Sequence, residues 1–313
     1  MTHDERRILV LTHTGREEAL DISRQVVASL RRHGLVVRML EDEAHVVGLE
    51  AGAGLELACA DDVVPGCEMA MVIGGDGTLL RAAELTHGSG IPLLGVNLGH
   101  VGFLAEAEGE DVDATIDAVV ERRYTTEERL TLDVSVFQDK ELVQSTWALN
   151  EASVEKAARE RMLEVVVEVD SRPLSRFGCD GVVCATPTGS TAYNFSAGGP
   201  VVWPEVEALL MVPISAHALF ARPMVIGPSS VLAVEVLPDT QGTGVLWCDG
   251  RRTVELPAGA RIEARRAPRP VRFARLHQAP FTDRLVAKFD LPVSGWRGAN
   301  NRRRRSQYQP ESP

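Results

Sequence analysis

Residues 74 to 78 read Gly-Gly-Asp-Gly-Thr and follow the apolar run Met69 to Ile73 directly. Three glycines around one acid make a loop that can turn left-handed and bring its backbone close to a phosphate, while Thr78 opens a helix whose first amides favour anions. Asp76 has no packing use there. Beside phosphates it is repulsive unless it ligates magnesium or takes the proton of an attacking hydroxyl, and both jobs belong to phosphoryl transfer. The plain structural alternative, an Asp-Gly hairpin turn, is disfavoured because a β-α junction is expected at this point.

Two other stretches carry polar chemistry. Residues 179 to 200, CDGVVCATPTGSTAYNFSAGGP, are too polar for a core strand. Thr188, Ser190, Thr191, Asn194 and Ser196 offer neutral hydrogen bonds, and Tyr193 offers an aromatic face on which an adenine can stack; the bland alternative is a glycine-rich surface loop. Asn150 stands beside Glu151 after an apolar segment, a pair able to bind two adjacent ribose hydroxyls or simply to cap a turn. Common nucleotide signatures are missing. There is no G-x-x-x-x-G-K-[ST], no H-R-D with D-F-G, and the GAG at 52 to 54 lacks the third glycine of a dinucleotide fingerprint.

The elements that must position these residues fall into two halves. The first alternates short apolar runs with helical patterns: RILVLTH, an amphipathic stretch from Glu17 to Arg32 that Gly34 can end, LVVRML, MAMVI, LLRAAELTH, IPLLGVN and DVDATIDAVVERR. Strands alternating with helices imply a parallel sheet covered on both faces, with ligands beyond the carboxyl ends of its strands, where the GGDGT loop falls. The interval from Glu41 to Asp62 is ambiguous. After about Tyr124 the texture turns to β-branched alternation, as in RLTLDVSVFQ and LEVVVEVDS, ending in a short helix candidate, FTDRLVAKFD. The expected organisation is an α/β domain over residues 1–124, a β-rich, sandwich-like domain over 125–290 and a disordered tail over 291–313.

A net charge of −11 argues against nucleic acid and anionic membrane as partners, so small molecules and other subunits are expected. The run Arg302 to Arg305 reads as a solvated end. No stretch approaches the roughly 18 apolar residues that span a bilayer, and MTHDERR has no apolar signal core, which leads to the expectation of a cytoplasmic protein. The five cysteines show no paired or zinc-ribbon spacing and are expected as small buried residues, with no metal cage.

Taken together, GGDGT (74–78), NLGHVGFL (97–104), NE (150–151), DGVVCATPTGSTAY (180–193) and AGGP (197–200) resemble, in content and order, the motifs of the NAD kinases. GGDG alone is shared with diacylglycerol and sphingosine kinases and more loosely with phosphofructokinases; the TPTGSTAY and NE segments make the match specific. The resemblance implies that Asp76 acts as base toward the adenosine ribose 2′-hydroxyl of NAD, and that Gly75 and Gly77 help hold phosphates. It implies that Asn150 and Glu151 contact the ribose, and that Thr188 to Tyr193, including Thr191 and Ala192, surround the adenine with Ser196 and Phe103 nearby. Asp180 is then associated with the nicotinamide amide. It further implies ATP or inorganic polyphosphate as donor, magnesium or another divalent cation on the transferring group, and a homodimer or homotetramer in which a neighbour completes the NAD site. The rival readings are a lipid kinase sharing the glycine loop and a non-catalytic NAD(P) sensor, whose mark would be loss of the Asp76 carboxylate.

Overall fold

A computed structural model describes residues 5–98, 102–104, 107–108, 112–158, 161–240, 242–276 and 280–293. Arg302 to Arg305 and most of the tail lie outside the described residues.

The chain opens with β1 (Arg7–Thr12), α1 (Glu17–Arg32), β2 (Val36–Leu40), α2 (Glu41–Val47), β3 (Leu55–Ala58), β4 (Met69–Ile73), α3 (Asp76–Leu85) and β5 (Leu93–Asn97). The two-residue β6 (Ala107–Glu108), α4 (Val112–Val120) and β7 (Thr125–Arg129) follow. In α1 the buried face is Ala19, Val26, Val27 and Leu30, with Glu17 and Glu18 in the first turn and Arg31 and Arg32 in the last. These charges complement the helix dipole, and Gly34, at φ +76, ends the run. The ambiguous interval from Glu41 resolves into α2 and β3, both local and short. Of the cysteines, Cys67, Cys179, Cys184 and Cys248 are buried as expected, but Cys59 is exposed, its thiol 3.4 Å from Asp62 Oδ2 in the turn after β3.

Among the described residues the first sheet has the order β3-β2-β1-β4-β5 and is completed by β7 and by β20 (Val271–Arg275), with β6 paired to β5. β1 pairs in parallel with both β2 and β4, so the strand order reverses at the β1/β4 boundary. Alternate residues of β1 face opposite cores. Ile8 and Val10 pack with α1, α2 and α4 on one face, and Leu9 and Leu11 pack with α3, Leu104 and Leu149 on the other. Burial on both faces is why these strands read as continuous apolar runs.

The second half is antiparallel. One sheet has the order β15-β14-β13-β10-β17-β18, built from β10 (Glu151–Lys156), β13 (Gly181–Ala185), β14 (Leu209–Ile214), β15 (Met224–Ile226), β17 (Gly244–Cys248) and β18 (Arg252–Leu256). The other has the order β12-β11-β16-β19-β8-β9, built from β8 (Leu132–Gln138), β9 (Glu141–Ala148), β11 (Leu163–Val169), β12 (Arg172–Cys179), β16 (Val231–Val236) and β19 (Arg261–Arg266). Val134, Val165 and Val234 of one sheet meet Val154, Val182 and Leu246 of the other in a shared core, which makes the pair a sandwich. A single 3-10 turn (Thr188–Thr191), the one-turn α5 (Tyr193–Ser196) and the final α6 (Phe281–Phe289) complete the described elements.

Candidate active site

The reversal of strand order places the loops after β1 and β4 side by side. His13 N donates to Ile73 O at 2.9 Å and Gly74 N to Val96 O at 3.0 Å, which fixes both loops at the carboxyl edge of the sheet. Beyond that edge lies a cleft of about 750 Å³, the crevice in which open parallel sheets bind ligands. Gly75, Asp76 and Gly77 line it. A Cβ at Gly75 or Gly77 would meet nothing within 4 Å, so the room those glycines leave belongs to the cleft. Gly74 is different: a Cβ there would sit 2.4 Å from Thr78 Oγ1, so its glycine is needed for packing. Five basic side chains line the cleft, His13, Arg16, Arg81, Arg251 and Lys288, with Asp76 as its acid. That balance, with the first turn of α3 at its edge, suits a chain of phosphates.

Asp76 is the first residue of α3, and its carboxylate is held from across the cleft. Oδ2 accepts from Phe103 N and Oδ1 from Leu104 N, each at 3.1 Å. Gly102 makes this approach possible, because a Cβ at that position would be 2.5 Å from Asp76 Oδ1. The carboxylate is thus aimed rather than free. The Phe103 ring is buried against Phe281 and Phe289 of α6, with centroids 5.9 and 5.8 Å away, while its backbone amide serves Asp76. Phe195 of α5 stacks on the same Phe289 at 4.6 Å. The aromatic face of α6 therefore joins the Asp76 side of the site to the Tyr193 side.

A second group gathers on the sandwich edge. Asn150 and Glu151 sit where β9 gives way to β10, and the Asn150 carbonyl accepts from Thr186 N at 2.9 Å. Gly189 passes so close beneath that a Cβ would lie 2.0 Å from Asn150 O, which locks the Thr188–Thr191 turn under the Asn-Glu pair. Thr188 is buried, Thr191 and Ala192 half-buried, and Tyr193 and Ser196 exposed. Ser190 and Asn194 face inward. Ser190 Oγ bonds the Val202 backbone, and Asn194 Nδ2 reaches the Ser190 and Pro200 carbonyls, so these two hold the segment together. Tyr193 bonds Glu155 through its hydroxyl, and its pKa is raised by burial and by the neighbouring carboxylates of Glu155, Glu151 and Asp180. Asp180 is ion-paired to Lys156 at 2.5 Å, which holds its carboxyl below the usual range.

The residue that organises this edge, Asp249, was not anticipated. Its carboxylate accepts from the backbone amides of Leu149 at 2.9 Å, Asn150 at 2.7 Å and Glu151 at 3.4 Å, and from Arg252 Nη2 at 2.7 Å. Asp249 and Gly250, with φ of 54° and 63°, are the central residues of a turn closed by Arg251 N donating to Cys248 O at 3.0 Å, in the three-residue loop that joins β17 to β18. Beside it Glu151 is buried, with Oε2 making no hydrogen bond among the described residues. Burial first, then the Asp249 charge, pushes Glu151 up to about 8, against a hydrogen bond from Tyr193 N. Burial raises Asp249 as well, but its backbone donors and Arg252 oppose that, so the proton of the pair belongs to Glu151.

A basic, glycine-lined cleft with an aimed carboxylate, set beside a polar edge of the sandwich, has the make-up of a phosphotransferase site. Comparison narrows the class. The model of the ATP-NAD kinase N-terminal domain matches residues 8–124 and that of the ATP-NAD kinase C-terminal domain matches residues 149–276. The chain is 63% identical over 294 residues to NAD kinase 2 of Streptomyces avermitilis, covering 94% of this chain and 97% of that protein. Its fold is similar to that of yeast NADH kinase complexed with NADH, with a TM-score of 0.83 at 22% identity over 94% of this chain and 89% of that one. It is also similar to that of an Archaeoglobus fulgidus NAD kinase in complex with ATP, with a TM-score of 0.68 at 23% identity over 92% of this chain and 100% of that one. The chain belongs to the NAD kinase family, and its activity is that of an NAD kinase. The lipid kinase reading falls with that result.

Proposed function

We propose that the cleft beside Asp76 is where the adenosine 2′-hydroxyl of NAD attacks the terminal phosphorus of ATP. The observation that carries this reading is the Asp76 carboxylate, fixed by the amides of Phe103 and Leu104 inside a basic cleft. In the step, the 2′-oxygen–phosphorus bond forms as the bond from that phosphorus to the ADP oxygen breaks, and the hydroxyl proton passes to Asp76. ADP leaves and NADP remains. Positioning supplies much of the rate enhancement, and general-base help about 10² to 10⁴-fold.

Asn150 and Glu151 hold the ribose, with Glu151 as its neutral acid able to donate as well as accept. Thr188, Thr191, Ala192 and Tyr193 surround the adenine, Ser196 lies at its rim, Asp180 meets the nicotinamide amide, and Gly75 and Gly77 admit the phosphates. No cluster of three metal-ligating side chains occurs among the described residues, and Asp76 is the acid of the cleft. The donor set therefore fits a magnesium ion that arrives on the donor phosphates, where it would neutralise transferring charge. Assembly into a homodimer or homotetramer belongs to the same reading. Its support is an apolar groove containing Leu174 and Phe220, with exposed Leu219 and Val225 nearby in the chain.

The test is purified protein with NAD and magnesium, offered ATP or polyphosphate in separate reactions, with NADP quantified and mass followed by light scattering on dilution. NADP from ATP is expected. Formation of NADP from polyphosphate alone would move the donor assignment, and a monomer at all concentrations would remove the assembly.

A further inference from the structure

Phe103 and Leu104 hold Asp76 through their amides, and the carbonyls of the same two residues are held in turn. Arg284 Nη1 donates to Phe103 O at 3.1 Å, and Arg275 Nη1 to Leu104 O at 3.3 Å. Neither arginine is near this loop in sequence: Arg275 ends β20, and Arg284 stands in the first half of α6. Positions 281, 284, 285 and 289 share one side of that helix. Phe281 and Phe289 grip the Phe103 ring, Leu285 is buried, and Arg284, half-buried between them, reaches the backbone. Arg275 is 7% exposed and tied to Glu127 Oε2 at 2.7 Å, so it is a fixed post.

The Phe103 carbonyl and the Leu104 amide are the two ends of one peptide unit. A cation on that oxygen draws electron density from the nitrogen and makes the N–H a stronger donor, and hydrogen bonds in such a series reinforce one another. The series runs from Arg284 Nη1 to Phe103 O, and from Leu104 N to Asp76 Oδ1, with 3.1 Å at both hydrogen bonds. A carboxylate oxygen that accepts one amide still has a lone pair to offer, and fixing the amide fixes where that lone pair points. We propose that Arg284 is a positioning residue for phosphoryl transfer, aiming the Asp76 carboxylate through the Phe103–Leu104 peptide. The inference rests on the reading of Asp76 as the base. Arg275 braces the next carbonyl, outside the peptide unit that carries the Leu104 amide, so it fixes the loop without entering the series. A merely structural Arg284 would tie α6 to the loop and act on stability alone.

The experiment is a double-mutant cycle on NADP formation from NAD and magnesium-ATP, with Arg284→Met and Arg284→Lys each made in wild-type and Asp76→Asn backgrounds. Methionine keeps the apolar stem and removes the donor, and lysine keeps a cation. Arg284→Met is expected to lower kcat roughly 10-fold with both KM values within about 2-fold, and Arg284→Lys to lower it about 3-fold. In the Asp76→Asn background both losses should shrink to less than about 2-fold, because the proton acceptor on which Arg284 acts is gone. Hydrogen exchange at the Leu104 amide supplies a readout free of turnover and should quicken in Arg284→Met. A kcat loss that recurs in full in the Asp76→Asn background overturns the proposal, as does unchanged kcat in folded Arg284→Met. Should Arg284→Met not fold, the lysine variant decides by the same comparison. Near-normal turnover of Asp76→Asn by itself removes the base reading and the proposal with it, whereas an impaired Asp76→Asn with additive losses removes the role of Arg284 alone.

Discussion

Both carboxylate oxygens of Asp76 are occupied by backbone amides, so Asp76→Asn does two things at once. It removes the proton acceptor, and it turns an amide NH₂ toward either Phe103 N or Leu104 N, leaving one donor without a partner. Turnover should fall about 10² to 10⁴-fold, with a stability loss of about 1–3 kcal/mol from the unsatisfied donor. Single-turnover kinetics with urea melts check both halves. Near-normal turnover would remove the base role, and partial recovery at high magnesium would point to a cation-holding role instead. Glu151 gives a pH signature. Its pKa of about 8 in the folded protein lies above the ordinary 4.5, so the fold favours the protonated acid. The stability this contributes is whole below about pH 4.5 and is lost as pH rises through about 8. Glu151→Gln, permanently neutral, should therefore gain in melting temperature relative to wild type between pH 6 and pH 9. A difference independent of pH would show that Glu151 is ionised throughout.

At the scale of elements, the Thr188–Thr191 turn depends on one backbone contact. Gly189→Ala would drive a methyl against the Asn150 carbonyl, and backbone cannot move aside as a flexible side chain can. A cost of about 1–3 kcal/mol or more is expected, together with weaker NAD binding, measured by calorimetry on folded protein; unchanged affinity would separate the turn from the NAD site. Which elements were legible in the sequence follows from physical causes. Strands β1, β2, β4 and β5 announce themselves because burial on both faces makes them apolar throughout, and α1 because its one buried face repeats with helical period. α2 and β3 do not, since their residues are largely charged or small and their identity is decided by what they pack against. That Gly75, Asp76 and Gly77 line a cleft at the carboxyl edge of the sheet was legible because an acid set among glycines directly after a buried strand has no packing use. Asp249 was hidden because Asp-Gly after a β-run reads as a hairpin turn, which it is; that the same carboxylate gathers three distant amides is a tertiary fact. Arg284 was hidden for the same reason, since the Phe103 carbonyl it reaches lies 181 residues earlier.

On the proposed reading, the cleft on the parallel sheet and the Asn150–Glu151 edge on the sandwich must keep their register, since a misplacement of about 1 Å can cost about 10²-fold in rate. The seam between them is built on α3 and the residues just after it. Glu84 pairs with Arg251 at 2.8 Å, and His87 stacks on Trp147 with ring centroids 3.9 Å apart. Arg252 lies over the same Trp147 ring at 4.5 Å while holding Asp249. Burial, with Arg252 and Arg269 nearby, lowers the His87 pKa, so the stack is that of a neutral imidazole. Asp76 begins the helix that ends at this seam, and Asp249 carries the seam to Asn150 and Glu151, so one aromatic ring sits between the two halves of the site. Trp147→Leu should keep the fold, because Trp147 is only half-buried at the edge of the core shared by Leu79, Leu149 and Phe273 and leucine keeps an apolar side chain there, yet lower kcat roughly 10-fold through lost alignment. A double-mutant cycle of His87→Leu with Trp147→Leu should return a coupling of about 0.5–1.5 kcal/mol in urea melts. The decisive measurement is kcat of Trp147→Leu at saturating NAD and ATP. A value equal to wild type, with the coupling energy lost, would mean that the stack stabilises the seam without setting the geometry of transfer.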